Sequence, residues 1–447
     1  MSVSKAAAGL SILAVFTALT GCGGVQTDAG SGSGTGGTSS GNNAPVNAPV
    51  IDASPITLKV YLSNSSLTAQ DLNTLIAEPL QKKFPQISVE AIMPGKGTTI
   101  AELVVAGQPP DIIYTNNLDF GTYKTLDLLE DITPLMKKHQ VDLDRFDPEL
   151  LASAKSDKGE LYGLPFFAHF SALYYNKNIF DKFGVPYPKN GMTWEDTIEL
   201  AKKVSRLDNG VEYRGLDPDT IARMAMPLGL TFVDAKTNRA SVNTDGWRTV
   251  FTLGKEIWNI PHNRPEKLNS FQARNWFMKD QTIAMLPYNN LLNIGLEEAT
   301  KLGLNWDLVQ YPSYKEKPNL YNHVDSQNFV IAKTSKYKDQ AAQLLSIMSS
   351  DEVQMKSARA TARLSSLKNP EMKKALGADM PFLQGKNLQS IFKSSSPPAP
   401  EYSQFNTSVR DLVFKSFEEY MNGKDLNTAL REAEANVNKR LDANAKK

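Results

Sequence analysis

Few residues in this chain are placed for covalent or metal chemistry. The four histidines, His139, His169, His262 and His323, include no pair four residues apart, the spacing that sets two imidazoles on one helix face for zinc. Asp142, Asp144 and Asp147 alternate like the acids of a calcium loop, but the glycine of its sharp turn is missing. A solvated acidic loop is the plainer reading. Pro94-Gly95-Lys96-Gly97-Thr98 is glycine-rich at a helix start but lacks the phosphate-loop spacing. Its amides could face an anion, although a strand-to-helix turn explains it as well. Gly32, Gly34 and Gly37 fit G-x-G-x-x-G only formally, with no strand before and no helix after. No G-x-S-x-G elbow occurs. The one cysteine, Cys22, excludes an intrachain disulfide and a thiolate metal cage. No catalytic set, metal or cofactor is expected. Two carboxylates flanking a cleft, as in a carbohydrate hydrolase, remain the rival chemistry, because 48 acidic side chains are available.

Composition narrows the class. The 447 residues carry 49 basic and 48 acidic side chains, a formal charge of +1. Nucleic-acid binding needs a clustered cationic excess, so no nucleic-acid partner is expected. A hydrophobic fraction of 41% with 22% charged residues belongs to a folded chain rather than a disordered one. Mean hydropathy of −0.34 excludes a multi-span membrane protein. The length allows two or three domains, or one large two-lobed unit.

The long apolar run, 6–20, follows Lys5 and falls short of the roughly 20 residues of a membrane span. It reads as an export signal, 1–21. Leu19-Thr20-Gly21-Cys22 is similar to a bacterial lipobox, which implies cleavage before Cys22 and a diacylglyceryl thioether on its sulfur. A lone cysteine is ordinarily a buried thiol, but this one lies between an apolar run and a glycine tract, with no core to enter. Residues 22–54 then form a lipidated cysteine and a disordered Gly/Ser tether. The length of the tether points to a Gram-positive surface, with the protein anchored on the extracellular face of the cell membrane.

The folded body starts near residue 55. Residues 56–62 read as a strand, ended by Ser63-Asn64-Ser65-Ser66. Thr68 can cap a helix with Leu72, Leu75, Ile76 and Leu80 on one face. A second strand at 87–92, a helix opened by Thr98 and a short strand at 111–114 follow. Strand, helix, strand, helix, strand predicts an α/β sheet with crossover helices and ligands beyond the strands' carboxyl ends. The loops 63–66, 94–98 and 115–119 are therefore binding candidates. Thr193-Trp194-Glu195-Asp196 opens a helix like a capping box. Trp247 and Trp258 fall in a helical apolar stripe and read as core, not as ligand contacts. Val409 to Phe417 and Leu426 to Leu441 predict two amphipathic C-terminal helices.

One long segment resembles a known family. Tyr162-Gly163-Leu164-Pro165-Phe166-Phe167-Ala168-His169-Phe170, continuing through Tyr174-Tyr175-Asn176-Lys177, is followed by Ile179-Phe180-Asp181-Lys182-Phe183-Gly184-Val185-Pro186 and Met192-Thr193-Trp194-Glu195. This order resembles the signature of family 1 extracellular solute-binding proteins, the substrate receptors of ABC importers, related to maltose-binding protein. Pro110-Asp111-Ile112-Ile113-Tyr114, Phe277-Met278-Lys279-Asp280-Gln281-Thr282-Ile283-Ala284-Met285 and Asp325-Ser326-Gln327-Asn328-Phe329 resemble further family blocks in the same order.

The resemblance implies a two-lobed, type II periplasmic-binding-protein-like fold. Each lobe is then a mostly parallel sheet flanked by helices. Residues 55–168 with 327–362 would form lobe 1, and 169–325 with 364–447 lobe 2. Three hinge crossings would lie near Ala168–His169, Asp325–Gln327 and Arg363–Ser365. The implied function is capture of a small solute, a sugar or oligosaccharide, without catalysis, by a monomer that delivers it to ABC permease subunits. The implied ligand-binding residues are Asn64, Ser65 and Ser66 after the first strand, Asn117 and Asp119 after the third, and His169, Ser326, Gln327 and Arg363 at the crossings. Leu291 stands where maltose-type members place a Trp platform, so Phe166, Phe167 or Tyr288 would supply the stacking face, with Asn289 and Asn290 beside it. A binding protein serving a membrane sensor is the other alternative.

Overall fold

A computed structural model describes residues 54–444. The export signal, Cys22, the tether up to residue 53 and the Gly32/Gly34/Gly37 match lie outside the described residues. Strands β1 (Ile56–Leu62), β2 (Ile87–Ile92), β3 (Ile112–Asn116) and β4 (Leu164–Ala168) begin the first lobe. Strands β5 (Ser171–Asn176), β6 (Arg206–Asp208), β7 (Val211–Leu216), β8 (Val233–Asp234), β9 (Arg239–Ala240), β10 (Ile283–Asn289) and β11 (Trp306–Gln310) build the second. Strands β12 (Ser326–Ile331) and β13 (Leu364–Ser365) return to the first. The first sheet runs β13-β4-β12-β3-β1-β2 and the second β11-β5-β10-β7-β6, with β8 and β9 as a separate pair.

Both main sheets are mixed, which corrects the expectation of mostly parallel sheets. β1 pairs in parallel with β2 and β3, but β12 enters between β3 and β4 and is antiparallel to both. In the second sheet only β10 and β7 are parallel. The cause is the returning chain. A strand that comes back from the other lobe enters against the direction of the strands already there.

Each lobe has its own apolar core. Val60, Ile76, Ile112, Phe166, Phe329 and Leu344 belong to the first. Tyr174, Trp194, Trp247, Trp258, Trp306, Phe417 and Val437 belong to the second. Leu367 and Met372 pack in the first core, so the chain does not leave lobe 1 at residue 364 as the expected boundary has it. β13 pairs with β4 in the first sheet while its Leu364 side chain packs against the second core, which the chain rejoins at Leu376 and Leu383.

Local chemistry starts the helices. Thr193 accepts from the Asp196 N–H, and the Asp196 carboxylate accepts from the Thr193 N–H, a reciprocal cap. Thr68 and Asp71 do the same at Ala69–Asp71. The next turns, Leu72–Ala77, widen to π-helical hydrogen bonding just before Pro79, whose ring has no N–H for an i−4 bond. Leu72, Leu75, Ile76 and Leu80 are all buried. The helix Ile100–Val105 starts one residue later than the sequence implies, because Thr99 rather than Thr98 caps it with Glu102.

Candidate binding cleft

Three passes of chain join the lobes, and they meet at one residue. Ala168, the end of β4, pairs with Ser326 on one side and Leu364 on the other. The His169 N–H donates to the Asp325 carbonyl at 2.9 Å, which ties the first pass to the second. The third pass follows the helix Asp351–Thr361, which ends at Ala362 in the left-handed region, φ 47°. His169, Asp325 and Arg363 are therefore neighbours in space although far apart in sequence.

The first-lobe wall is one connected polar network. Asn64 Nδ2 donates to Gln327 Oε1 at 3.1 Å, and Ser66 Oγ donates to the same oxygen at 3.0 Å. Ser66 Oγ also meets Asn64 Oδ1 and lies 2.7 Å from the Tyr114 hydroxyl. Gln327 Nε2 contacts Asp325 Oδ1 at 3.3 Å. Arg363, 3% exposed, donates Nη2 to the Ser66 carbonyl and to Asp71 Oδ2, each at 2.7 Å. Burial alone would raise the Asp71 carboxyl, but the Arg363 charge and its hydrogen bond hold it below the usual carboxylate range. Arg363 Nη1 is buried with no hydrogen-bond partner. Ser65 is exposed at the loop tip.

Asp119 has its carboxyl pushed up to about 6, first by burial and then by the Asp325 charge. Burial draws the His169 imidazole below its ordinary value; Asp325 opposes this, and the Arg363 and Arg223 charges add to it. Its Nδ1 is buried without a partner.

The second-lobe wall centres on Arg223, which sequence reasoning missed. Its guanidinium carbon lies 3.6 Å from the Tyr288 ring centroid. Nε donates to Asp219 at 3.1 Å and Nη1 to Asn289 Oδ1 at 3.2 Å. Tyr311, buried nearby in electrostatic reach of Arg223, has an unpartnered hydroxyl. The available signal was the acid pair Asp217 and Asp219 directly after a strand, with Arg223 four residues beyond the second acid.

Several expected contacts are spent inside the protein. Phe166 and Phe167 are 0% and 1% exposed in the first core, so neither offers a stacking face. The strand that carries them is buried along its whole length, which leaves no solvent side for an aromatic to occupy. Tyr288 is buried under Arg223. Ser326 is fully buried against Ser153 and Asn328. Asn290 holds the Ala362 carbonyl and the Leu292 N–H. Asn117 clamps the second pass by donating to the Val324 carbonyl and accepting from the Ser326 N–H. Asp119 and His169 both lie in electrostatic reach of Asp325, and His169 also of Arg363 and Arg223, so charged groups of both lobes gather where the passes meet. The remaining histidines are partnered: His139 with Asp339, His262 near Glu212, and His323, in electrostatic reach of Asp325, with the Tyr402 hydroxyl. Asp142 and Asp147 cap helical turns. Among the described residues no group of acids and histidines is arranged for a metal ion.

Two α/β lobes, three adjoining passes and a polar junction between them define the binding-protein class of type II topology. The model of the bacterial extracellular solute-binding protein family matches residues 65–355, and the chain belongs to that family. The melibiose/raffinose/stachyose-binding protein MelE of Bacillus subtilis is 26% identical over 253 residues, 54% of this chain. That alignment spans 56% of MelE, just over half its length. The sn-glycerol-3-phosphate-binding periplasmic protein UgpB of Brucella melitensis is 23% identical over 81% of this chain and 88% of its own. Among solved structures, the ABC substrate-binding protein Lmo0181 of Listeria monocytogenes in complex with cycloalternan has the same fold. Its TM-score is 0.69 at 22% identity, over 86% of this chain and 99% of that one. Among the described residues no helix is long and apolar enough to cross a membrane.

Proposed function

We propose that this chain is the extracellular receptor of an ABC importer and captures a sugar or oligosaccharide between its lobes without altering it. The observation that carries this reading is the junction itself. Acceptors (Asp119, Asp325, Asn289), donors (Arg223, Asn64) and the two-way His169 arrive there from both lobes and from the hinge. Sugar hydroxyls both donate and accept, so a mixed set of planar polar groups suits them. A relative named for melibiose, raffinose and stachyose supports the same class of ligand. A ligand that touches both walls has higher affinity for the closed arrangement and shifts the population to it.

Calorimetric titration with mono- and oligosaccharides tests the reading, with small-angle scattering to follow lobe closure. Saturable binding with compaction is expected. Steady turnover of a bound saccharide, abolished by Asp119→Asn, would establish a hydrolase instead. The same proposal includes cleavage before Cys22 and acylation of its sulfur on a Gram-positive cell surface, since two acyl chains hold a protein on a membrane. Mass spectrometry of the mature amino terminus reads this directly, and Cys22→Ala releases the protein into the medium. The receptor acts as a monomer whose partners are the permease subunits.

A further inference from the structure

We infer that the cleft selects its solute by charge: it takes neutral or amino-bearing saccharides and turns away acidic ones, through the uncompensated carboxylates of Asp119 and Asp325. The inference rests on the sugar-receptor reading and specifies it. Both guanidiniums at the junction are already neutralised by the protein itself. Arg363 Nη2 lies 2.7 Å from Asp71 Oδ2 and 2.7 Å from the Ser66 carbonyl. Arg223 Nε lies 3.1 Å from Asp219 Oδ2, its Nη1 donates to Asn289, and its guanidinium carbon covers the Tyr288 ring. A guanidinium that holds its own carboxylate offers an anionic solute little net charge.

The other acids of the junction are not matched. The Asn117 side chain donates to the Val324 carbonyl and accepts from the Ser326 N–H, so it brackets Asp325 and holds the turn 117–119 against the second pass. That clamp sets Asp119 beside Asp325. Among the described residues, the Asp325 carboxylate accepts from the neutral Gln327 amide at 3.3 Å and from no cation. The Asp119 carboxylate has no donor there, and the one charge that acts on it is Asp325, of the same sign. Its carboxyl, at about 6, is still ionised at pH 7.5. His169 is neutral at that pH, because burial draws its imidazole below the ordinary value, and its buried Nδ1 has no partner. Two guanidiniums therefore stand among four carboxylates, Asp71, Asp119, Asp219 and Asp325, and the excess is two negative charges. A like charge brought into such a partly desolvated place costs far more than it would in water. A hydroxyl donates to these oxygens without that cost, and an ammonium group gains from them.

The test is calorimetric titration at pH 7.5 and low salt with probes matched at one carbon. Each neutral saccharide that binds is compared with its uronate and its 6-amino-6-deoxy counterpart. The starting panel is glucose, galactose, mannose, raffinose and stachyose, and sn-glycerol 3-phosphate serves as the phosphate probe. The uronate is expected to bind at least about tenfold more weakly than the neutral form, and the amino form at least as tightly. Asp119→Asn and Asp325→Asn keep a planar acceptor and remove the charge, so each is expected to shrink the neutral-over-uronate ratio about threefold or more. A uronate or sn-glycerol 3-phosphate bound as tightly as the neutral probes overturns the charge rule while the receptor reading stands. Equal weakening of the uronate and the amino form also overturns it, because the loss then follows the altered carbon and not its charge. A ratio unchanged in both variants overturns the assignment to these two carboxylates. A wild-type protein that binds no saccharide of any charge overturns both readings.

Discussion

Arg363 Nη2 lies 2.7 Å from Asp71 Oδ2, and the same nitrogen lies 2.7 Å from the Ser66 carbonyl. One guanidinium on the third pass therefore fixes both a helix cap and the loop after the first strand. That loop carries Asn64 and Ser66, so the hinge sets the shape of the first-lobe wall.

Removing Arg363 leaves Asp71 without its counter-charge and frees the Ser66 carbonyl. Arg363→Ala is expected to destabilise the fold by about 3 kcal/mol, the loss typical of breaking a buried pair from one side. Asp71→Asn is expected to be the milder change, because an Asn oxygen can still accept from Arg363 Nη2 and from the Thr68 N–H. Urea denaturation of both variants checks the order. The Asp71 carboxyl titrates below its unfolded value, so this stabilisation is present above that value and is lost as the pH falls through the lower, folded one.

His169 behaves in the opposite chemical sense. Its folded imidazole sits below the ordinary 6.5, so on acidification the unfolded chain takes up the proton first. Stability is therefore expected to fall as the pH drops below 6.5, and His169→Gln is expected to flatten that slope. The same variant weakens ligand affinity at pH 7.5 without a large change in Tm. Unchanged affinity would remove His169 from the site.

Asp119 titrates near 6 in the folded protein against 3.8 in the free side chain. Between those values the folded state holds the extra proton, so stability declines as the pH rises through this window. Asp119→Asn is expected to remove that part of the decline and to stabilise the unliganded protein at pH 7.5. Buried Asp217, also raised to about 6, adds a slope of the same sign that Asp119→Asn leaves in place. If the Asp119 carboxylate accepts hydroxyls from the ligand, wild-type affinity rises as the pH passes 6, and Asp119→Asn loses that rise.

Gly121 marks where the segment after the third pass crosses the first lobe. A Cβ there would sit 2.9 Å from the Gln404 nitrogen and 3.3 Å from the Tyr402 carbonyl. Thr125 also meets the Gln404 side chain, while Tyr402 and Ser403 bond to His323 and Asn238 of the second lobe. Gly121→Ala is expected to cost about 1–3 kcal/mol by overpacking and to shift unliganded scattering toward a more open form. An unchanged scattering profile would show that this crossing does not restrain the lobes.

Much of the scaffold was legible in the residues. The strand and helix alternation, the caps at Thr68 and Thr193, and the apolar stripes through Trp247 and Val437 depend on neighbours within a few positions. Such signals survive in one dimension because the groups that satisfy them are local. The resemblance that begins at Tyr162 supplied the two lobes and the hinge.

What only the tertiary structure decided was which polar and aromatic groups remain free. Asn117, Asn290 and Ser326 look like cleft residues in sequence, yet each is consumed by a backbone group more than 70 positions away or by a buried neighbour. Phe166 and Phe167 sit on a strand buried on both faces, where alternation carries no information about direction. Arg223 draws its meaning from Tyr288 and Asn289, which reach it only through folding. Hydrogen-bond capacity is a property of a residue, but whether a solute can use it depends on the distant partners that compete for it first.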